Sequence, residues 1–179
     1  MENVVAETPE EDVVRIVVMG PSGSGKSTVG VELAEAVGAR FIDGDDLHPE
    51  ANVVKMAAGT PLDDEDRMPW LRLVGQALHA QPRIVIACSA LKREYRDVIR
   101  GEEPEAYFAE LVTDRAVLEQ RMRRRPDHFM PPALLESQLR TLEPLGADER
   151  GVRVIASGDV ATAVAAIMAA AGLAPQSLR

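Results

Sequence analysis

One stretch of this sequence has residue types and spacing that dictate a chemistry. Gly20, Pro21, Ser22, Gly23, Ser24, Gly25, Lys26 and Ser27, followed by Thr28, fit the pattern G-x-x-x-x-G-K-[ST]. The glycines let successive backbone N–H groups turn inward around a phosphate, and a helix starting at the end of the loop adds a favourable dipole. Lys26 would reach the β- and γ-phosphates of a nucleoside triphosphate, and the Ser27 hydroxyl would ligate Mg²⁺. The pattern lies between an apolar, β-branched run over 13–19 and helical spacing over 26–37, which is the setting it requires. A tight glycine turn that holds nothing is the alternative.

Acidic residues supply the second group of candidates. Many phosphate-loop proteins place an Asp at the end of a further strand, but the run 84–88 ends in Cys88, Ser89 and Ala90. The run 40–43 leads instead into Asp43, Gly44, Asp45 and Asp46. In a parallel sheet that end shares a rim with the phosphate loop. Asp43 is therefore assigned toward metal-bound water, and Asp45 toward the hydroxyl under attack as its orienting base. The competing reading is a solvated acidic turn that caps the next helix. The chain is too short for switch or motor elements and has no Asn-Lys-x-Asp guanine signature. Both facts favour a small-molecule kinase.

These residues need a scaffold, and the hydrophobic pattern provides one. Strands are expected over 13–19, 40–43, 84–88, 106–112 and 152–156. Helices are expected over 26–37, from Pro49 to 56, and over 66–79, 93–100, 114–125, 131–142 and 161–171. In the helix over 66–79 the buried stripe is Trp70, Leu71, Leu73, Val74 and Leu78. Strands alternating with helices indicate an α/β fold, a five-stranded, mostly parallel sheet with helices on both faces. Residues 13–173 form a single domain, preceded by a disordered acidic tail (1–12) and followed by a flexible end (174–179).

Composition narrows the function. The 179 residues suit one domain, and 46% hydrophobic with 27% charged residues are globular proportions. Aromatics at 3% weaken the case for a surface that stacks nucleic-acid bases. Twenty Lys and Arg against 29 Asp and Glu give a net charge of −9, which argues against a nucleic-acid or anionic-membrane binder. An anion site must gather its positive charge locally. Cys88 is the single cysteine and reads as a buried small residue. The tail has five acids and no base, unlike a secretory signal. The alanine-rich stretch 160–174 is shorter than the ~20 residues that span a bilayer. A cytoplasmic protein is expected.

Further strings carry a resemblance. Phe41-Ile42-Asp43-Gly44-Asp45-Asp46-Leu47-His48-Pro49, then Asn52, Lys55-Met56, Gly59, Pro61-Leu62, and Asp66-Arg67 with Pro69-Trp70-Leu71, resemble the gluconate kinase family. So do Cys88-Ser89-Ala90-Leu91-Lys92 with Tyr95-Arg96-Asp97, and Arg121, Arg125 and His128-Phe129 with Ser137-Gln138. The resemblance spans nearly all of 16–155. It implies transfer of phosphate from ATP to the 6-hydroxyl of D-gluconate, feeding the pentose phosphate route. It also implies the P-loop NTPase fold of shikimate and nucleoside monophosphate kinases, with a helical acceptor-binding insertion, a short lid and usually a homodimer. A kinase for another small polar acceptor, such as shikimate, and a non-catalytic nucleotide sensor are the alternatives.

Gluconate has one carboxylate and a row of hydroxyls, so its site needs a cation and several hydrogen-bonding groups. The segment 43–67 holds eight acids together with His48, Lys55 and Arg67. Carboxylates suit the hydroxyls, and Arg67 suits the substrate carboxylate in a bidentate grip. An ion pair with an acid of its own run is the alternative for Arg67, a helix cap for His48 and a surface role for Lys55. Ser89 would face the acceptor from the sheet rim, or serve as a turn hydroxyl, while Lys92 reads as solvated. Arg121 and Arg125 lie four apart on one helical face and can clamp the transferring phosphoryl, with Arg121 also near the adenine. Arg123 and Arg124 read as a solvated face. His128, in a lid over 128–130, is a further substrate contact or plain lid packing.

Overall fold

The computed structural model describes residues 13–124, 132–156 and 158–175. The acidic tail, Arg125, His128 and the expected lid lie outside the described residues. Five strands, β1 (Val14–Met19), β2 (Arg40–Asp43), β3 (Arg83–Ala87), β4 (Tyr107–Val112) and β5 (Gly151–Ile155), form one sheet in the order β2-β3-β1-β4-β5. Every pairing is parallel. The helices are α1 (Lys26–Val37), α2 (Glu50–Ala57), α3 (Asp64–His79), α4 (Arg93–Glu102), α5 (Arg115–Arg123), α6 (Pro132–Thr141) and α7 (Val160–Ala171), with a 3-10 turn at Gly44–Leu47.

The central strand explains why its sequence is a mainly apolar run. Val14, Ile16 and Val18 pack with Leu33 and Val37 of α1 and Ile167 of α7. Val17 and Met19 pack in a second core with Leu71, Val74 and Leu78 of α3 and Ile99 of α4. Successive side chains point to opposite faces, so a strand covered on both faces is apolar apart from Arg15 near its start, which pairs with Glu103 at 3.0 Å and donates to the Gln81 carbonyl at 3.1 Å. Its C-terminal end then opens at the sheet rim, directly into the phosphate loop.

Some boundaries differ from the sequence expectation. Helix α3 starts two residues earlier because Asp63 and Asp66 cap each other, each carboxylate accepting the other's backbone N–H at 2.9 Å. Leu73, expected in the buried stripe, is 39% exposed, because it lies past the edge of the arc set by Leu71, Val74 and Leu78. Pro49 caps α2 instead of entering its first turn. Helix α5 ends at Arg123, and Asp114 makes no side-chain cap bond. Helices α3 and α4 meet closely at Gly75, where a Cβ would lie 2.8 Å from the Ile99 carbonyl oxygen.

Arg96 of α4 is completely buried. Its Nε and Nη2 donate to Glu149 at 2.7 and 2.8 Å, and Nη1 donates to the carbonyls of Ala90 and Glu143, each at 3.1 Å. Glu149 also accepts from Arg100 and from the Gly146 N–H, both at 2.8 Å. Burial alone would push the Glu149 carboxyl up, but these donors outweigh it and hold the group down at about 2. Its folded pKa lies below the ordinary 4.5, so the stabilisation is full above that pH and is lost as pH falls toward 2. Glu149→Gln should cost about 3–5 kcal/mol at neutral pH, because it strands a buried guanidinium. Urea unfolding across pH should show that difference shrinking as pH falls from 4.5 toward 2.

Candidate active site

The phosphate loop is shaped by backbone conformations that favour glycine. Gly20, Gly23 and Gly25 have φ of 147°, 80° and 92°. Gly25 caps α1 with no side-chain bond, so the first N–H groups of the helix face outward, where a phosphate would lie. The loop is braced at both ends: the Gly20 N–H donates to the Ser89 carbonyl at 3.3 Å, and the Ser22 N–H to Gln138 of α6 at 2.8 Å. The Lys26 ammonium lies over the loop, 3.1 Å from the Pro21 carbonyl. Arg121 of α5 clasps it from outside, with Nη1 3.3 Å from the carbonyls of Gly23 and Ser24 and Nη2 3.1 Å from that of Ala156.

Beside the loop is a recess of about 360 Å³ lined by Gly25, Thr28, Arg121, Arg124, Asp159 and Val160. It has the size and mixed lining of a small-ligand pocket and adjoins the phosphate cradle. Arg124, read from sequence as solvated, lines it, whereas Arg123 lies on the surface, paired with Glu119 at 3.5 Å. Nothing in the motif pointed to Asp159, which caps α7 by accepting from the Thr162 N–H.

The acidic candidates converge on this cradle. Ser27 Oγ donates to Asp43 Oδ2 at 2.8 Å, and the Asp45 N–H donates to Asp43 Oδ1 at 3.1 Å. Asp43 thus caps the 3-10 turn that presents Asp45. Asp45 is open to water on one side, yet the protein packed around it, and then the Asp43 charge, raise its pKa against the pull of Lys26 and His48. A carboxylate of raised pKa is the better proton acceptor. Among the described residues no three or more His, Cys, Asp and Glu side chains form a metal cage. The hard oxygen pair Ser27 and Asp43 fits Mg²⁺, an ion that takes few protein ligands beside water and phosphate.

The candidates expected on the acceptor side lie around the 3-10 turn, α2, the start of α3 and the exit of β3. His48 stacks on Trp70, with ring centroids 4.2 Å apart and planes at 16°. The Asn52 amide bridges His48 Nδ1 at 3.2 Å and the Asp66 carbonyl at 2.9 Å. Nδ1 is therefore the acceptor, and Nε2 faces Asp45, 3.9 Å away. Burial pushes the His48 pKa down and the Arg67 charge adds to this, while Asp45 opposes both. Lys55 reaches Asp66 and Asp63 across the capping box. Arg67 stands 3.8 Å from Asp64, and Lys92 bonds the same carboxylate at 2.8 Å. Ser89 is half-buried at the exit of β3, with its carbonyl on Gly20.

Trp70 is buried in the second core, as its place in the stripe predicts, and it also braces the candidate site. Its indole N–H donates to the Gly44 carbonyl at 2.7 Å, beneath the turn that carries Asp45. Gly44 has no room for a side chain: a Cβ would lie 2.6 Å from the Ala87 carbonyl oxygen. The available signal was the pairing of a lone tryptophan with a glycine between two acids. Ala90, at φ 43°, marks strain in the loop that follows Ser89.

Comparison with known proteins agrees with this geometry. A family model described as shikimate kinase matches residues 22–152. A thermosensitive gluconokinase of Escherichia coli K12 is 45% identical over 150 residues, covering 81% of this chain and 80% of that protein. A gluconokinase of Gluconobacter oxydans 621H is 49% identical over 143 residues, covering 78% and 80%. A crystal structure of a gluconokinase from Sinorhizobium meliloti 1021 superposes with a TM-score of 0.82 at 45% identity, covering 91% and 94%.

Trp70→Phe keeps the stack on His48 but leaves the Gly44 carbonyl without its buried donor. The variant should lose about 1–3 kcal/mol in denaturant unfolding. Its turnover should fall more than its nucleotide affinity, because the Asp45 turn loosens while the phosphate loop does not.

Proposed function

The chain belongs to the gluconokinase family, and we propose that it moves the γ-phosphoryl group of ATP onto the 6-hydroxyl of D-gluconate, giving 6-phospho-D-gluconate and ADP. The observation that carries this reading is the 45–49% identity to two gluconokinases over about four fifths of the chain. The arrangement around the loop supports it: a phosphate cradle faces a carboxylate of raised pKa, with a wall of hydrogen-bonding side chains beyond.

Each residue then has a task. The loop N–H groups of 20–28 and the Lys26 ammonium bind and orient the phosphates. Ser27 and Asp43 would hold Mg²⁺, Asp43 through water, and the ion would supply charge neutralisation at the phosphates. Asp45 accepts the proton of the 6-hydroxyl as that oxygen attacks phosphorus in line. Arg121 closes the nucleotide side and Arg125 would join it on the transferring group. Arg67 takes the gluconate carboxylate. His48, Lys55, Ser89 and His128 complete the hydroxyl contacts, His48 from its stack on Trp70. No helix among the described residues is long and apolar enough to cross a membrane. A cytoplasmic homodimer that feeds the pentose phosphate route completes the proposal.

The deciding assay is ADP release from Mg-ATP with D-gluconate beside shikimate, glycerate, glucose and nucleoside monophosphates. Saturable turnover is expected with gluconate alone, phosphorylated at O6; turnover with a different acceptor only would reject the reading. Asp45→Asn should keep ATP affinity and lose turnover by about a hundredfold or more. An unchanged kcat would remove Asp45 from its role. Arg67→Ala should raise the gluconate KM more than the ATP KM, and an equal rise in both would count against a specific grip.

A further inference from the structure

The N-termini of α3 and α4 carry a group of side chains that behaves as a receptor for a carboxylate. Lys92 Nζ bonds both oxygens of Asp64, at 2.8 and 3.1 Å, and the Tyr95 hydroxyl donates to Asp64 Oδ1 at 2.5 Å. Arg67 stands 3.8 Å from the same oxygen, an ion pair without a hydrogen bond. The Tyr95 ring lies under both cations, with Lys92 Nζ 5.1 Å and the Arg67 guanidinium 5.9 Å from its centroid. Two donors, Lys92 and Tyr95, and the ion-paired Arg67 converge on one carboxylate, and close packing at Gly75 fixes α3 and α4 against each other.

Charge and position both suit a substrate carboxylate. Arg67, Lys92 and Asp64 together carry one net positive charge, in a protein whose total is −9. His48 links this group to Asp45: its Nε2 lies 3.9 Å from Asp45, and the same ring is near enough to Arg67 to feel its charge. An extended six-carbon acid spans about 6 Å from C1 to C6. With its C6 hydroxyl at Asp45, such a chain would lie along His48 with its carboxylate toward Arg67 and Lys92. The group is reachable from solvent, since the Asp64, Arg67 and Lys92 side chains are 48%, 34% and 29% exposed.

We propose that Arg67, Lys92 and the Tyr95 hydroxyl form the seat of the acceptor's carboxylate, and that Asp64 holds this seat as an internal carboxylate which the acceptor displaces. Displacement moves one carboxylate out as another moves in, so the two cations stay paired. Asp64 then remains beside the first turn of α3, where water and the helix dipole support its charge. Charge-neutral acceptors lack the group needed to displace it. The inference rests on the gluconate reading given above and adds Lys92, Tyr95 and Asp64 to it.

The test compares D-gluconate with D-gluconamide, which keeps the carbon chain and hydroxyls but loses the charge, as substrate or competitive inhibitor of the full chain. Lys92→Met should raise the gluconate KM about tenfold or more, the loss of one charge-assisted bond, and leave the gluconamide constant and the ATP KM near wild type. Lys92→Arg should restore part of the loss. Asp64→Asn should lower the gluconate KM by removing the internal competitor. Equal effects of Lys92→Met on both acceptors would reduce Lys92 to a helix tether and overturn the seat. A gluconate KM that holds or rises in Asp64→Asn would overturn the displacement. Wild-type protein that turns over no gluconate would overturn the functional reading itself, an outcome separate from these two.

Discussion

A guanidinium removed from water must find an acceptor for each of its donors, and Arg96 finds them in three separate stretches of chain. Glu149 takes Nε and Nη2, while the carbonyls of Ala90 and Glu143 take Nη1. The Ala90 segment is the exit loop of β3, held at positive φ in a conformation that a lone alanine rarely adopts. Ser89, one residue earlier, accepts the Gly20 N–H, so the anchored loop forms one bank of the phosphate cradle. Lys92 and Tyr95 follow it on α4. One buried ion pair therefore fixes both the nucleotide rim and the cations on the acceptor side. A hydrophobic replacement of similar volume could match its contribution to stability, but not hold the carbonyls of Ala90 and Glu143 and the Glu149 carboxylate in register.

The two halves of the site are built by different means. The nucleotide half is main chain: glycine-dependent turns, the N–H groups at the start of α1, and Arg121 holding loop carbonyls from outside. The acceptor half is side chains: Trp70 pins Gly44 and carries His48, Asn52 fixes the His48 tautomer, and the capping box at Asp63 and Asp66 engages Lys55. A backbone cradle suits a phosphate chain common to many reactions. A wall of side chains suits one particular acceptor, because each can change without disturbing the sheet. Asp43 joins the halves, bonded to Ser27 on one side and to the Asp45 N–H on the other.

What the sequence disclosed follows the same division. The loop was legible because its φ values favour glycine, and the sheet because strands covered on both faces leave short runs that are mainly apolar and β-branched. Asp43 and Asp45 were legible as acids at a strand end. The partners were not. Ser22 meets Gln138 across 116 residues, Arg96 meets Glu149 across 53, and Trp70 meets Gly44 across 26. No local pattern encodes such pairs. Lys92 illustrates the limit: its charge and its place after β3 were visible, but the approach of α3 to α4 at Gly75 chose Asp64 as its partner.

Net charge raises a final constraint. ATP and gluconate are both anions, and a protein at −9 repels them at long range. Beyond about 8 Å that repulsion is largely screened at physiological salt, so short-range geometry decides binding. Lys26 and Arg121 stand at the phosphates, and Arg67 and Lys92 at the far end of the acceptor wall. On the proposed reading, the acids Asp43 and Asp45 would face the ion and the hydroxyl that they are suited to hold. Positive charge is thus placed where each substrate carries negative charge, and negative charge where the substrates offer a metal or a proton. On this plan an acidic protein can bind two anions because the sign of the charge near each substrate group, and not the total charge, decides binding at short range.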